Sequence, residues 1–561
     1  MKGPYMENRS RARNLGIVGN ARHSRNARNA RVAVLAGLSL MAGASLVACG
    51  NGQDFAGGAD YPERIVLADR DSKDNYHPAS GYGQTGISPV YDGLLRPSPT
   101  DGPDTIPELK PALADESPVA SDNSKTWTVK LRDGVTFSDG SEFDAEDVKA
   151  TYDVARDVKK GSKVSFRYDI IDDVEVVDKH TVKFYLTAPY SGFESRLTLA
   201  IAPSEVVGKD NVADNPLGEM PVGTGPYVME SNTGNEIRFK AREDYWAGAP
   251  EIKDMVVSLV SDDNARAQRV ASGELSGAAV PPALAKSFEN RDDVEVVAAK
   301  TADWRGVSFP DVPFLKDAAV RKAINMAVDR QAMVDGTLSG YGTPISNILS
   351  PIYGDAYNAK ADFEYNVAEA EKMLDEAGWK KGPDGIRAKD GEKASVTLYY
   401  AGDDTLRRDM AIEFSAQMKK IGVDFHTEAS TWDEISPRLG EAAALLGGGS
   451  SPYDPDLMAY NELHSRGENT SEYSNPGDYS SPELDRALEQ ARAEQDLAKR
   501  AELYRKVQEL HAENPSAVFL ANINHVYLQH PNKWDKGSLI LEPHIHGATW
   551  GPWWDLRSWK R

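Results

Sequence analysis

Two histidines near the end of the chain have the type and spacing of metal ligands. His544 and His546 stand two residues apart in the sequence EPHIHG, residues 542–547. In an extended segment alternate side chains point to the same face, so both imidazoles would face one site. Imidazole is a favoured ligand of Ni²⁺ and Cu²⁺. The pair predicts a site for such a metal, and the alternative is a solvated surface pair.

A glycine-rich segment follows an apolar run at residues 65–68. Gly81, Gly83 and Gly86 fit the pattern G-x-G-x-x-G. In a dinucleotide-binding loop a helix begins directly after the glycines, so that its N-terminus meets the pyrophosphate. Here Pro89 comes three residues after Gly86, and the five prolines of residues 97–111 are typical of a loop. The segment therefore predicts a loop with tight turns rather than a dinucleotide site.

The composition favours a binding protein outside the cytosol. The formal net charge is -22, and residues 1–48 hold eight Lys or Arg against one Glu, so the acidic charge lies in the remainder. Such an acidic body repels nucleic acid and anionic lipid. Neither G-x-S-x-G nor H-E-x-x-H occurs in the sequence. We therefore expect a receptor and no enzyme; a secreted hydrolase that uses scattered carboxylates is the alternative.

The start of the chain has the pattern of a secretory signal. A basic region precedes an apolar run, residues 32–47, that is too short to span a membrane comfortably. The run ends in LVAC, a tetrapeptide that resembles the bacterial lipobox, so the single cysteine, Cys49, is expected to carry lipid. Residues 1–48 would be removed, and residues 49–60 would form a flexible tether. We expect a lipoprotein on the outer face of the cell membrane.

Strand-like and helix-like segments alternate through the rest of the chain. Residues 126–131 show the alternation of a half-buried strand, and residues 174–177 and 181–186 predict a hairpin. Helical spacing is found in residues 144–158, 320–334, 367–377 and 484–512, the last expected to form one or two helices broken near residues 514–515. The pattern predicts an α and β protein with at least two lobes.

Five motifs, in order along the chain, resemble those of one family, the extracytoplasmic solute-binding proteins of peptide and nickel ABC importers. The motifs are KLRDGVTFSDGSEFDAEDVKATYD at 130–153, GTGPY at 223–227, REDYW at 242–246, RKAINMAVDR at 321–330 and AEAEKMLDEAGW at 368–379. The resemblance covers residues 61–561.

The resemblance implies a fold, partners and a domain order. The expected fold class is α/β, like the type II periplasmic binding proteins, with two hinged lobes and an extra small domain. Lobe 1 would comprise residues 61–89, 220–301 and 521–561, the small domain residues 90–219, and lobe 2 residues 302–520. A monomeric receptor of this family would deliver its ligand to an ABC permease and ATPase. The alternative outside transport is a signalling receptor that only senses the ligand.

The resemblance also implies residues for the ligand. Peptide receptors of the family place an Asp where this chain has Ser451, and a hydroxyl cannot neutralise a buried ammonium. The run SPYDP resembles that of the nickel branch, with Tyr453 as a pocket residue. Gly449 replaces the pocket Trp of that branch and predicts a roomier pocket.

Further positions complete the implied site. His464 and His77 match metal-ligating histidines of nickel binders, to be joined by His544 and His546, although His464 could equally be solvated. Arg196 would hold a chelator's carboxylate with its guanidinium fork, the alternative being a surface salt bridge. Tyr82 and Trp304 are expected to contact ligand. The favoured cargo is a nickel chelate, with a short peptide as the alternative.

Overall fold

The computed structural model describes residues 62–70, 75–99, 102–449, 451–467 and 470–561. The predicted signal segment, Cys49 and the tether lie outside these residues. Strands and helices are numbered in chain order. No helix within the described ranges is both long and apolar enough to cross a membrane.

A seven-stranded sheet forms the centre of what we call lobe 1. The apolar run at residues 65–68 is its central strand and is buried on both faces, as expected for a strand with parallel neighbours on each side. The sheet order is β12-β22-β11-β1-β10-β9-β8. Its strands are β1 (Arg64–Asp69), β8 (Tyr227–Asn232), β9 (Glu236–Ala241), β10 (Asp254–Leu259), β11 (Gly277–Val280), β12 (Glu295–Ala299) and β22 (His525–Gln529).

A six-stranded sheet forms the centre of lobe 2. Its order is β14-β21-β13-β20-β18-β19, and its core includes Phe309, Leu398 and Phe414. Its strands are β13 (Trp304–Ser308), β14 (Gly342–Pro344), β18 (Ser395–Ala401), β19 (Asp424–Ser430), β20 (Ala443–Gly448) and β21 (Ala517–Ile523).

A four-stranded antiparallel sheet, order β4-β5-β7-β6, forms the small domain. The predicted alternating strand and hairpin are confirmed by β5, β6 and β7. The strands are β4 (Val119–Ser121), β5 (Thr126–Lys130), β6 (Ile171–Asp178) and β7 (Thr181–Leu186). Two minor sheets contain β2 (Leu95–Ser98) with β3 (Glu108–Pro111), and β15 (Lys380–Lys381), β16 (Arg387–Lys389) and β17 (Glu392–Lys393).

The helices fit the predicted segments in most places. They are α1 (Ala145–Ala155), α2 (Ser165–Tyr168), α3 (Ser204–Val207), α4 (Asp263–Ala271), α5 (Pro282–Ala285), α6 (Ala318–Met326), α7 (Arg330–Asp335), α8 (Val367–Glu376), α9 (Thr405–Lys420), α10 (Trp432–Ile435), α11 (Pro455–Leu463), α12 (Pro482–Ala493) and α13 (Leu497–Glu513). The α/β class is confirmed.

Two predicted helix segments are interrupted by capping aspartates. Residues 320–334 divide into α6 and α7, because the side chain of Asp329 accepts the backbone N–H of Ala332 and starts a new helix. Residues 484–512 divide into α12 and α13 at Asp496, which caps α13 in the same way. The break therefore lies before α13 and not only at its end.

The chain crosses between the two large sheets twice, and the two crossovers run side by side. One joins β12 to β13 through residues 300–303, and the other joins β21 to β22 at Asn524. Ile523 donates its N–H to the carbonyl of Asp303 at 2.9 Å, and Asn522 donates to the carbonyl of Thr301 at 3.0 Å. A pair of short crossovers is the arrangement of a hinge between lobes.

Candidate ligand and metal site

The hinge borders a cavity of about 440 Å³ between the lobes, which we call the hinge cavity. Both predicted tail histidines, His544 and His546, lie in its wall. Lobe 2 contributes Arg305 and Arg407. The structure thus brings two imidazoles and two guanidiniums to one space. The sequence predicted the histidines but not the arginines.

A buried carboxylate organises these groups. Asp303 lies on the first crossover and is fully buried, and its Oδ1 accepts from Arg305 and lies 2.7 Å from Nδ1 of His544. Its Oδ2 lies 3.0 Å from Nε2 of His525. Burial alone would raise the pKa of Asp303, but the charge of Arg305 and the two histidines lower it well below its usual range. Asp303 is therefore an anion.

His525 is held between two carboxylates. Its Nδ1 lies 2.7 Å from Oε2 of Glu542, opposite the contact with Asp303. Burial would lower the pKa of His525, but the hydrogen bonds to Asp303 and Glu542 raise it above its ordinary value. Sequence analysis missed both Asp303 and His525, because neither carries a local motif; they meet across 222 residues.

His546 presents its ring to the cavity. Its Nδ1 donates to the carbonyl of His544 at 3.1 Å, and its ring centroid lies 4.2 Å from that of His525. Although the side chain is exposed to the cleft, desolvation there and the neighbouring His525 lower the pKa of His546 well below its ordinary value. His546 is a neutral imidazole, the form that binds metals.

The two arginines of the cavity are close neighbours. A Cβ atom added at Gly447 would lie 2.4 Å from Nη1 of Arg305 and 3.1 Å from Nη2 of Arg407. Both guanidinium groups therefore lie beside the same backbone position. Arg407 also pairs with Asp404 at 2.6 Å. Within the described residues, the Nε of each arginine has no hydrogen-bond partner. Guanidinium groups form a fork that suits a carboxylate ligand.

The glycine-rich loop lines an adjoining cavity of about 590 Å³. Tyr82 lies in this wall together with His546 and Trp550, and its ring packs edge-on against Tyr76 at 4.8 Å. A Cβ at Gly86, whose φ is +74°, would lie 2.9 Å from the carbonyl of Leu95. The motif thus forms a tight loop on the cleft, and the next regular element is a strand, β2, rather than the helix of a dinucleotide site.

His77 lies apart from the tail histidines. It is fully buried, its Nδ1 accepts the N–H of Ala79 at 3.0 Å, and its Nε2 lies 3.0 Å from the carbonyl of Val207. Both ring nitrogens thus have backbone partners, and the bond to Ala79 caps the short helical turn at Pro78–Ser80. The structure does not bring it to the metal-binding position that the resemblance implied.

Arg196 and His464 line a different cavity, of about 490 Å³, and share no wall residue with the hinge cavity. The Arg196 side chain is buried, and within the described residues its Nε has no hydrogen-bond partner. His464 stacks on Tyr460 at 4.5 Å and its Nδ1 donates to the carbonyl of Ser465 at 2.9 Å. Arg196 and His464 are therefore brought together in this conformation, but apart from the tail histidines.

The segment before α11 connects lobe 2 to the glycine-rich loop. The hydroxyl of Tyr453 donates to the carbonyl of Thr85 at 2.8 Å. The Oγ of Ser451 lies 3.1 Å from Nη1 of Arg167. Ser451, for which the resemblance implies an Asp in peptide receptors, thus faces the guanidinium of Arg167.

Two expectations for lobe 2 differ from the structure. A Cβ at Gly449, whose φ is +106°, would lie 2.3 Å from the carbonyl of Ala302. The space beside Gly449 is therefore filled by backbone, and the expected roomier pocket is not found there. Trp304 is buried in the core of lobe 2, where it packs edge-on against Phe519 at 5.2 Å. Trp304 is thus a core residue and not a cleft residue.

The fold and the cleft identify the class of protein. Residues 108–470 match the sequence profile of the bacterial extracellular solute-binding proteins, family 5, middle region. The chain belongs to this family, whose members are transport receptors and not enzymes. It is the substrate-binding protein of an ABC importer of the peptide and nickel class, an extracytoplasmic family.

Similar proteins bind different cargoes. Protein XP55 of Streptomyces lividans is 38% identical over 495 residues, 88% of this chain and 89% of that protein. The crystal structure of NikZ from Campylobacter jejuni in complex with Ni(L-His) has a TM-score of 0.77 at 26% identity and covers 89% of this chain and 100% of that chain. AppA from Bacillus subtilis, in complex with a nonapeptide, has a TM-score of 0.72 at 25% identity and covers 88% and 98%.

Proposed function

We propose that the protein is a lipid-anchored receptor that captures a nickel chelate between its lobes and delivers it to the permease. The observation that carries this proposal is the shared cavity of His544, His546, Arg305 and Arg407. Imidazoles supply metal ligands, and the guanidiniums supply a fork for the carboxylate of a small chelator such as an amino acid. The similarity to NikZ, solved with Ni(L-His), supports the same cargo.

The proposed site differs in part from the one implied by the sequence. The arginines of the hinge cavity take the carboxylate-binding role expected for Arg196. Arg196 and His464 are proposed to bind an anionic group in their own cavity, for which Arg196 has a buried donor without a partner in the described chain. Tyr82 and Tyr453 are proposed to close the cleft over the cargo from the loop side.

A short peptide is the second candidate. The hinge cavity contains Asp69 and Asp403 as well as the two arginines, so a zwitterion would find both charges there. AppA, solved with a nonapeptide, supports this alternative. Against it stands the contact of Ser451 with Arg167, because a cation at this position repels the ammonium of a peptide.

Native mass spectrometry of the protein purified from rich medium distinguishes the candidates. We expect an added mass of one nickel ion with one or two small organic molecules, lost on dialysis against a strong chelator. His544→Ala/His546→Ala should lack this mass, whereas His180→Ala, a change outside the cleft, should retain it. Masses of di- to pentapeptides that resist the chelator would overturn the nickel proposal and establish a peptide receptor.

A further inference from the structure

We propose that Asp303, His525 and His546 form a three-ligand site for a divalent transition metal in the wall of the hinge cavity. The inference rests on the proposed function, because it names the protein ligands of the captured metal. One ligand atom from each of the three residues lies within 4.8 Å of the other two. Within the described ranges, this is the one group of three or more His, Cys, Asp and Glu residues with this proximity.

The spacing of two of these atoms already suits a metal. Nε2 of His525 and Oδ2 of Asp303 are 3.0 Å apart. Two ligand atoms that each lie about 2.1 Å from a metal ion, with an angle of about 90° at the metal, are about 3 Å apart. A metal ion can therefore replace the proton now shared by these atoms without a large movement of either.

The outer contacts of both residues hold them in place. Oδ1 of Asp303 is engaged by Arg305 and His544, which leaves Oδ2 for the metal. Nδ1 of His525 bonds to Glu542, and the same carboxylate accepts from the hydroxyl of Tyr527 at 2.7 Å. A carboxylate on the far nitrogen of a histidine fixes the tautomer and ring orientation that metal binding needs.

His546 completes the site from the cavity side. Because Nδ1 donates to the carbonyl of His544, the Nε2 lone pair is free of a proton. The ring is exposed to the cleft, so a metal that enters with its chelator meets this ligand first. Asp303 lies on the first crossover, and His525 is the first residue of β22, directly after the second. The bound metal would therefore connect lobe 1 to the hinge.

The donor set defines the metal and leaves room for a chelator. Two imidazole nitrogens and one carboxylate oxygen favour Ni²⁺, Cu²⁺ or Zn²⁺ over Mg²⁺ or Ca²⁺, which prefer oxygen ligands. Three protein ligands leave one position open in a tetrahedral site and three in an octahedral one. A chelator at these positions would extend its carboxylate to Arg305 and Arg407 across the same cavity.

Titration of the purified protein with NiCl₂ and with CoCl₂ alone tests the ligand set. We expect His546→Ala to weaken Ni²⁺ binding at least 100-fold and to remove one imidazole from the coordination shell seen by X-ray absorption. Glu542→Gln, which alters the outer contact of His525 and removes no ligand atom, should weaken binding 10- to 100-fold. His180→Ala, the matched control outside the cleft, should leave affinity unchanged.

The outcomes separate this inference from the proposed function. His525→Gln and Asp303→Asn are buried changes, so His546→Ala, at an exposed side chain, is the decisive variant. If Ni²⁺ binds but His546→Ala has no effect, or if His464→Ala abolishes binding, the ligand set is overturned while nickel capture stands. If NiCl₂ binds neither alone nor with added L-histidine, both the ligand set and the proposed cargo are overturned.

Discussion

At the scale of single residues, charge and burial decide what each histidine can do. His525 has two carboxylate partners, whereas His511 has none among the described residues and is buried in lobe 2 beside Arg321. The Nε2 of His511 accepts the N–H of Ser516 at 3.1 Å, which requires the neutral ring. The pKa of the same side chain type is thus raised in one environment and lowered in the other.

His511 should make the stability of the protein depend on pH. Burial, with a smaller effect of Arg321, lowers the pKa of His511 from 6.5 to about 4. The unfolded chain therefore binds more protons between these values, and stability falls as the pH drops from 6.5 to 4, by about 3 kcal/mol at most. Urea unfolding at pH 5 and pH 7.5 should show a smaller loss for His511→Gln than for the natural protein. An equal loss in both would contradict this assignment.

The histidines also show what the sequence could and could not reveal. His544 and His546 were predicted from a two-residue spacing, which survives in any extended segment. Asp303 and His525 could not be predicted, because they are 222 residues apart in the sequence. Their contact depends on two crossovers that lie side by side only in the folded chain. His77 matched a motif, but its burial between backbone groups is a tertiary feature that the motif does not encode.

At the scale of elements, capping residues set the boundaries that hydrophobic spacing leaves open. The strands β5 to β7 and the helix α1 were predicted because alternation and an acidic first turn are local signals. The breaks at Asp329 and Asp496 were missed, because an aspartate in a helical pattern can be either a surface residue or a cap. Only the surrounding packing selects between these roles.

The start of α11 depends on a buried ion pair. Asp454 caps α11 and makes two hydrogen bonds of 2.7 Å to Arg500 of α13, and both side chains are buried. Asp454→Asn keeps a capping group but leaves the guanidinium charge uncompensated, so we expect a loss of about 3–5 kcal/mol in the free energy of unfolding. Ser481→Ala, which removes an ordinary cap at α12, should cost about 1 kcal/mol in the same urea experiment. Equal losses would contradict the role of the ion pair.

At the scale of the whole molecule, the two lobes touch directly in this conformation. Arg70 of lobe 1 pairs with Asp403 of lobe 2 at 2.7 Å, and Tyr453 reaches the glycine-rich loop. The tail meets lobe 2 as well, since His544 donates its N–H to the carbonyl of Gly449 at 3.0 Å. These contacts describe a closed cleft, which a ligand that binds both lobes would favour over an open one.

The contact of Tyr453 should matter only in the closed form. Tyr453→Phe removes one hydrogen bond that joins the lobes, worth about 1 kcal/mol, so the affinity for the cargo should fall about fivefold. Small-angle X-ray scattering should show a larger radius of gyration for the variant at the same subsaturating ligand concentration. Thermal stability without ligand should change little. An unchanged affinity would show that this contact does not contribute to closure.

The most direct test of the central claim is the position of the metal in a crystal of the protein grown with Ni²⁺ and L-histidine. We expect an anomalous difference peak at the nickel absorption edge, in the hinge cavity, within about 2.0–2.2 Å of ligand atoms of Asp303, His525 and His546. A peak beside Arg196 and His464, or peptide density in the cleft with no anomalous peak, would contradict the account.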